Sequence, residues 1–193
     1  MLANLEKYNI LLGSKSPRRR ELLQLLRIPF KVLTLSNVDE TYPEGSRPLS
    51  VPQYLSGIKA DAYLQHLHDN EMIITADTLV ILGDRIFGKP QNPAEAVRML
   101  LDLSDHTHQV ATGVTIATQS RRTSFTTVTD VTFGHISEDE ARYYVDCFSP
   151  LDKAGAYGIQ EWIGGVAVER IDGSFYNVMG LPIHQLYREL RAF

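Results

Sequence analysis

The run MIITADTLVIL carries one acid, Asp77, among apolar neighbours. An ionised carboxylate on a buried strand is costly without a partner. Asp77 is therefore either a structural acid held by a backbone amide or an arginine, or a metal ligand or general base at the edge of a cleft. The segment GSKSPRRRELL supplies the opposite charge. Ser16 can cap a helix whose first position suits Pro17. Arg18, Arg19 and Arg20 then crowd the positive end of the helix dipole, where each exposed cation costs roughly 0.3–1 kcal/mol. Acids would serve folding better in that turn, so the arrangement makes sense if an anion binds there. Lys89 in FGKPQNP is flanked by Gly88 and Pro90, which fix the backbone around it, although a loop lysine is ordinarily solvated. Lys59 lies in helix-like sequence that carries exposed lysines routinely, and Glu40 in a long polar stretch says nothing by itself. Asp152 and Lys153 precede the glycines of AGAYG, which permit close backbone approach to a ligand or simply a turn. One anion-suited helix start, several lysines and isolated carboxylates point to phosphate chemistry assisted by a metal.

Other chemistries fail on spacing. Five positions beyond Gly13 stands Arg18 instead of a second glycine, and no Lys-Ser or Lys-Thr pair follows, so this is not a P-loop. No GxGxxG occurs. His106 and His108 could project to one side of a strand, but two imidazoles are too few for zinc. They read as surface features, as do His66 and His68. Ser14 and Ser16 lack a GxSxG setting, and no histidine is placed to activate either.

The elements that must position these residues can be read from the pattern. Residues 8–12 form a short apolar strand, and 13–16 a loop into a helix whose one face carries Leu22, Leu23, Leu25 and Leu26. Residues 31–35 read as a second strand. The following stretch SNVDETYPEGSRPLS is long for an ordinary connection and suits an active-site loop. Ser50 and Gln53 fit a capping box for a helix over 51–67. Residues 71–82 read as a strand, with Gly83-Asp84 turning into 85–87. Asn92-Pro93-Ala94-Glu95 opens a helix to about Leu103. Residues 109–118 and 124–133 form a hairpin, and Ser137 to Glu140 is a capping box for a helix to Phe148. A glycine-containing loop over 149–160, a strand over 165–171 and a helix over 182–191 complete the chain. Strand and helix do not alternate regularly, so the expectation is an α/β protein with a mixed sheet.

The chain has 193 residues, enough for one well-buried core or two small lobes sharing one. A net charge of −4 argues against non-specific nucleic-acid or membrane binding, so any anion site must be local. The single cysteine, Cys147, excludes an internal disulfide and fits a reducing compartment. No apolar run approaches the ~20 residues of a membrane span, and the first residues show no signal-peptide core or arginine-rich presequence. A cytoplasmic protein is the expectation.

The segments GSKSPRRRELL, TADTLV, GKPQNPAEA, ATGVTI, DKAGAYGIQ and GSFYNVMGLP, in this order, resemble the signature segments of the Maf family of nucleoside triphosphate pyrophosphatases. The resemblance spans nearly the whole chain, implying a single Maf-like domain over 1–193. It implies a long, bent, mixed sheet with flanking helices forming two lobes around a cleft, similar to inosine triphosphate pyrophosphatases. The implied reaction converts a nucleoside triphosphate to the monophosphate and pyrophosphate with a divalent cation, Mg²⁺ or Mn²⁺.

Family positions match here as Ser14, Arg18, Arg19, Glu40, Lys59, Asp77, Thr78, Lys89 and Gln160. The resemblance makes Asp77 the catalytic base and, with Glu40, a metal ligand. It makes Lys59 and Lys89 phosphate-handling cations, and places Arg18, Thr78 and Gln160 at positions associated with substrate choice. AYGIQ resembles the branch acting on dTTP and UTP, whereas the branch acting on 7-methyl-GTP differs in this loop. Glu161 departs from the pattern, since many members have glycine there. The expected partner is the nucleotide, with no nucleic acid and no membrane, and a homodimer is allowed. Two rivals stay open: a nucleotide-binding regulator of cell division without turnover, and the same chemistry on 7-methyl-GTP.

Overall fold

Met72, Ile73, Ile74, Thr75 and Ala76 follow one another with no solvent contact, a burial on both faces that only an interior strand gives. The computed structural model describes residues 2–35 and 38–193, so Ser36 and Asn37 of the long polar stretch lie outside it. The interior strand is β3 (Glu71–Leu82). Before it come β1 (Asn9–Leu12), α1 (Pro17–Gln24), β2 (Lys31–Val32) and α2 (Val51–Leu64). After it come β4 (Arg85–Phe87), α3 (Pro93–Leu103), β5 (Thr107–Ala117), β6 (Arg122–Phe133), α4 (Glu138–Phe148), α5 (Trp162–Val166), β7 (Val168–Asp172), α6 (Phe175–Val178) and α7 (Ile183–Ala192). The sheet has seven strands in the order β2-β1-β3-β5-β6-β7, with β4 paired to β3. β1 runs parallel to β2 and β3, while β4 pairs antiparallel with β3 and β7 antiparallel with β6. The architecture is the expected mixed α/β sheet with flanking helices.

The chain divides into two compact units, one of residues 1–77, 112–127 and 180–193, the other of residues 78–111 and 128–179. In the first, Ala60 and Tyr63 of α2 pack with Leu11 of β1, Ile73 of β3 and Ala117 of β5. Gly113 lets the first turn of α2 lie against β5, because a Cβ there would fall 2.2 Å from the Gln53 amide nitrogen. In the second, Leu100 and Leu103 of α3 and Tyr144 and Val145 of α4 share a core with Val80, Phe87, Val131 and Phe133. Gly155 is left-handed (φ +66°) and presses on Val80, a position closed to any side chain.

Several local expectations shift. Ser50 does not cap α2: a 3-10 turn at Pro48–Ser50 runs into the helix, so Ser50 already has helical backbone and donates to Arg47 O. α2 ends at Leu64, because the Gln119 amide takes the carbonyls of Leu64 and Leu67 at 2.8 and 2.9 Å. α1 ends at Gln24, and Leu25 is 55% exposed instead of sharing the buried face of Leu22 and Leu23. Asn92 Oδ1 accepts from Glu95 N, but the Glu95 carboxylate returns to Gln91 N. The Ser137–Glu140 box forms in both directions. β2 has two residues, β7 begins only at Val168, and the short helices α5 and α6 had no sequence expectation. Among the described residues no helix is long and apolar enough to cross a membrane.

Candidate functional site

Two elements of the first unit meet twice. Thr75 Oγ1 on β3 donates to Ser56 O of α2 at 2.7 Å, and Ser56 Oγ lies 2.9 Å from Thr115 Oγ1 on β5. Lys59 stands one helical turn beyond Ser56, and Asp77 two residues beyond Thr75 on the same strand face. The second meeting follows: Lys59 Nζ donates to Asp77 Oδ1 at 2.6 Å. The same ammonium lies 2.9 Å from Glu40 Oε2. Lys59 and Asp77 are largely buried, whereas the Glu40 side chain is half exposed. The chain leading to Glu40 is held by Tyr63, whose hydroxyl donates to Leu33 O and accepts from Leu35 N.

The arginine-rich helix start belongs to the same unit. Ser16 Oγ accepts from Arg19 N, and Ser14 Oγ from Ser16 N, so the two hydroxyls organise the turn. Arg19 donates from Nε to Gly180 O at 2.9 Å and from Nη1 to Ala76 O at 2.8 Å. Burial draws the Arg19 pKa down, the Asp77 carboxylate opposes this, and Arg18 and Glu40 act more weakly in opposite senses. Arg18 is half-buried and Arg20 exposed. The three arginines therefore differ: Arg19 is tied to backbone carbonyls, and Arg20 faces outward.

Thr78, Lys89 and Gln160 belong to the second unit. Thr78 is half-buried on β3. Lys89 is exposed in a bend fixed by buried Pro90 and by Gly155 N donating to Gly88 O at 3.0 Å. Gln160 is exposed in the turn that follows the 3-10 turn Ala154–Ala156. Sequence reasoning gave no role to Tyr144, Lys153 or Glu161. The structure gathers them: buried Lys153 lies 3.0 Å from Asp152 and 3.2 Å from Glu161, and Tyr144 donates to Glu161. In the sequence Glu161 stands out only as a departure from a pattern, and Tyr144 reads as one more apolar-face residue of α4.

The histidines do not form a pair of surface ligands. His106 is exposed, with Nδ1 2.6 Å from Ser104 O, whereas His108 is 1% exposed and lies 2.8 Å from the Tyr157 hydroxyl. Among the described residues no group of three or more His, Cys, Asp or Glu gathers as a metal cage. Asp77 and Glu40 still suit a cation, since both already surround one positive charge, the Lys59 ammonium. Mg²⁺ is commonly held by one or two carboxylates and completed by substrate phosphate oxygens. Two carboxylates beside an arginine-bearing helix start meet that requirement.

The profile of the family described as Maf-like protein matches residues 9–193. The dTTP/UTP pyrophosphatase of Parabacteroides distasonis is 51% identical over 193 residues, covering 100% of each chain. That of Bacteroides thetaiotaomicron is 52% identical over 99% of each chain. That of Flavobacterium johnsoniae is 40% identical over 96% of this chain and 95% of its own. Among solved structures, a nucleoside-triphosphatase / dITP/XTP pyrophosphatase from Mycobacterium abscessus is similar over 95% of this chain and 96% of its own. Its identity is 15% and its TM-score 0.47, so the fold rests on the sheet described above.

Proposed function

The chain belongs to the Maf-like family, and from that premise we propose that it hydrolyses dTTP and UTP to the nucleoside monophosphate and pyrophosphate. The observation that carries this reading is the Lys59 ammonium shared by Asp77 and Glu40, in the unit that also holds the arginine-rich start of α1. Asp77 acts as general base on the attacking water. The water oxygen bonds to the α-phosphorus as its proton passes to the Asp77 carboxylate, and the bond from the α-phosphorus to the bridging oxygen breaks. Pyrophosphate leaves with the electron pair. Lys59 fixes the carboxylate that takes the proton and keeps a positive charge beside it.

Ser14, Arg18 and Arg19 at the helix start, together with Lys59 and Lys89, are the groups proposed to bind the triphosphate and offset charge growing on the leaving group. A divalent cation, Mg²⁺ or Mn²⁺, held by Asp77 and Glu40 would supply further neutralisation of phosphate charge. Thr78 and Gln160 are proposed to act on substrate choice. The Gln160 amide offers a donor and an acceptor together, which suits the alternating carbonyl and N–H edge shared by uracil and thymine. A base that leaves those groups unpaired is rejected strongly. The proposed setting is the cytoplasm, where the enzyme removes unwanted or modified pyrimidine nucleotides before polymerases use them.

The test is pyrophosphate release across a nucleotide panel with Mg²⁺ or Mn²⁺. Efficiency on dTTP and UTP well above CTP, the purine triphosphates and 7-methyl-GTP is expected. Binding without turnover would favour a regulator, and preference for 7-methyl-GTP would overturn the pyrimidine reading.

A further inference from the structure

The turn that carries Gln160 is held by a chain of polar groups anchored on buried Tyr144 and Lys153. Tyr144 on α4 is fully buried. Its hydroxyl accepts from Gly158 N at 3.0 Å and donates to Glu161 Oε2. The other oxygen of Glu161 lies 3.2 Å from Lys153 Nζ, which also meets Asp152 at 3.0 Å. The backbone closes the same turn, with Glu161 N donating to Gly158 O at 2.9 Å. Gly158 leaves the room this needs. A Cβ there would fall 2.9 Å from Gln160 Nε2 and 2.9 Å from Glu161 Cδ, so both side chains lie over it.

We propose that Glu161 is a positioning residue: with Tyr144 and Lys153 it clamps the turn at 158–161 and so sets where the Gln160 amide points. The proposal rests on the reading of Gln160 as the base-selecting group. Gln160 has no hydrogen-bond partner among the described residues, so its direction follows from the turn beneath it. A buried ion pair is a poor route to stability by itself, because its attraction barely repays the lost hydration. What this one fixes is geometry. Glu161 reaches two partners from two oxygens, the tyrosine that holds Gly158 and the lysine that precedes the Ala154–Ala156 turn. The residue that departs from the family pattern is thus part of the support for its neighbour.

The test uses Glu161→Gln, Tyr144→Phe and Gln160→Leu in the full chain, with KM and kcat measured for dTTP and CTP. Glu161→Gln keeps size but loses the charge facing Lys153. Tyr144→Phe keeps the ring but releases Gly158 N and Glu161. Each is expected to raise KM for dTTP by about tenfold or more, since small misplacements of a binding group have effects of that order. The effect on kcat and on CTP is expected to be small, so selectivity flattens. In the Gln160→Leu background Glu161→Gln should add little, because the group it positions is gone. If Glu161→Gln fails to fold, Tyr144→Phe carries the test alone. Equal losses on dTTP and CTP, or a loss of the same size with and without Gln160, would overturn the clamp and leave a stability role only. Failure of the base reading looks different and shows in one variant alone: Gln160→Leu by itself would then leave the preference for dTTP over CTP unchanged.

Discussion

Arg19 donates to the carbonyl of Ala76 at 2.8 Å, the peptide that leads directly into Asp77. Through Nε the same guanidinium holds Gly180 O, so one side chain joins the first turn of α1, strand β3 and the residues before α7. The arginine cluster therefore contains a member whose place at the positive helix end is compensated by fixed acceptors, independent of any bound anion.

Arg19→Ala should therefore destabilise the free protein. Ala76 is fully buried, and its carbonyl would lose this donor, at a cost of about 1–3 kcal/mol. For a domain of this size that lowers the melting temperature by about 2–4 °C per kcal/mol. Arg20→Ala is the control: exposed near the same helix end, it should leave the melting temperature unchanged or slightly higher. Thermal melts of both variants decide. Equal behaviour would mean that the two carbonyl contacts contribute nothing.

Asp77→Asn preserves size and an oxygen for Lys59 while removing charge and basicity. Turnover of dTTP should fall at least ~100-fold, the scale of general-base catalysis. Circular dichroism should show the fold retained. A purified variant working near the wild-type rate would make Asp77 a structural acid.

The contrast between those two residues shows what the sequence could disclose. β3 and the turn into β4 were legible to the residue, because burial on both faces and a Gly-Asp turn are local signals. So was the Ser137–Glu140 box. The end of α2 was not, since it depends on Gln119, which is remote in sequence. At the site the residue types were readable but their partners were not. Lys59 looks like any helix lysine until Ser56 and Thr75 bring its turn against β3. The acceptors of Arg19 are backbone carbonyls, which every residue has, so no pattern could mark them.

Lys89 is exposed and has no ion pair among the described residues, so Lys89→Ala should leave the melting temperature within about 0.5 kcal/mol of equivalent stability. If it binds the triphosphate, the same variant should lose most pyrophosphate release, with KM for dTTP raised. Full activity in this variant would return Lys89 to the class of solvated loop lysines.

His108 sets a pH dependence of stability. The ring is buried against Phe133 and Tyr157, and burial lowers its pKa from the ordinary 6.5 to about 4. Burial also raises the Tyr157 phenol above its ordinary value, so Tyr157 stays protonated and its hydroxyl shares a 2.8 Å hydrogen bond with Nε2 of a neutral imidazole. The folded chain therefore refuses a proton that the unfolded chain accepts below 6.5. This contribution to stability is fully present above that value and falls away as pH drops towards 4, by about 3 kcal/mol across the window. His135 acts in the opposite sense, because Asp105 raises its pKa and its pair gains strength as it protonates. The measurement is therefore a difference: melting temperatures at about pH 7.5 and about pH 5 for the wild type and for His108→Gln, so that His135 and the carboxylates cancel. The amide can hydrogen-bond Tyr157 in either sense but does not titrate. The variant should be the less stable at the higher pH and should lose less on acidification. A loss as steep as in the wild type would show that His108 takes up its proton without opening the core.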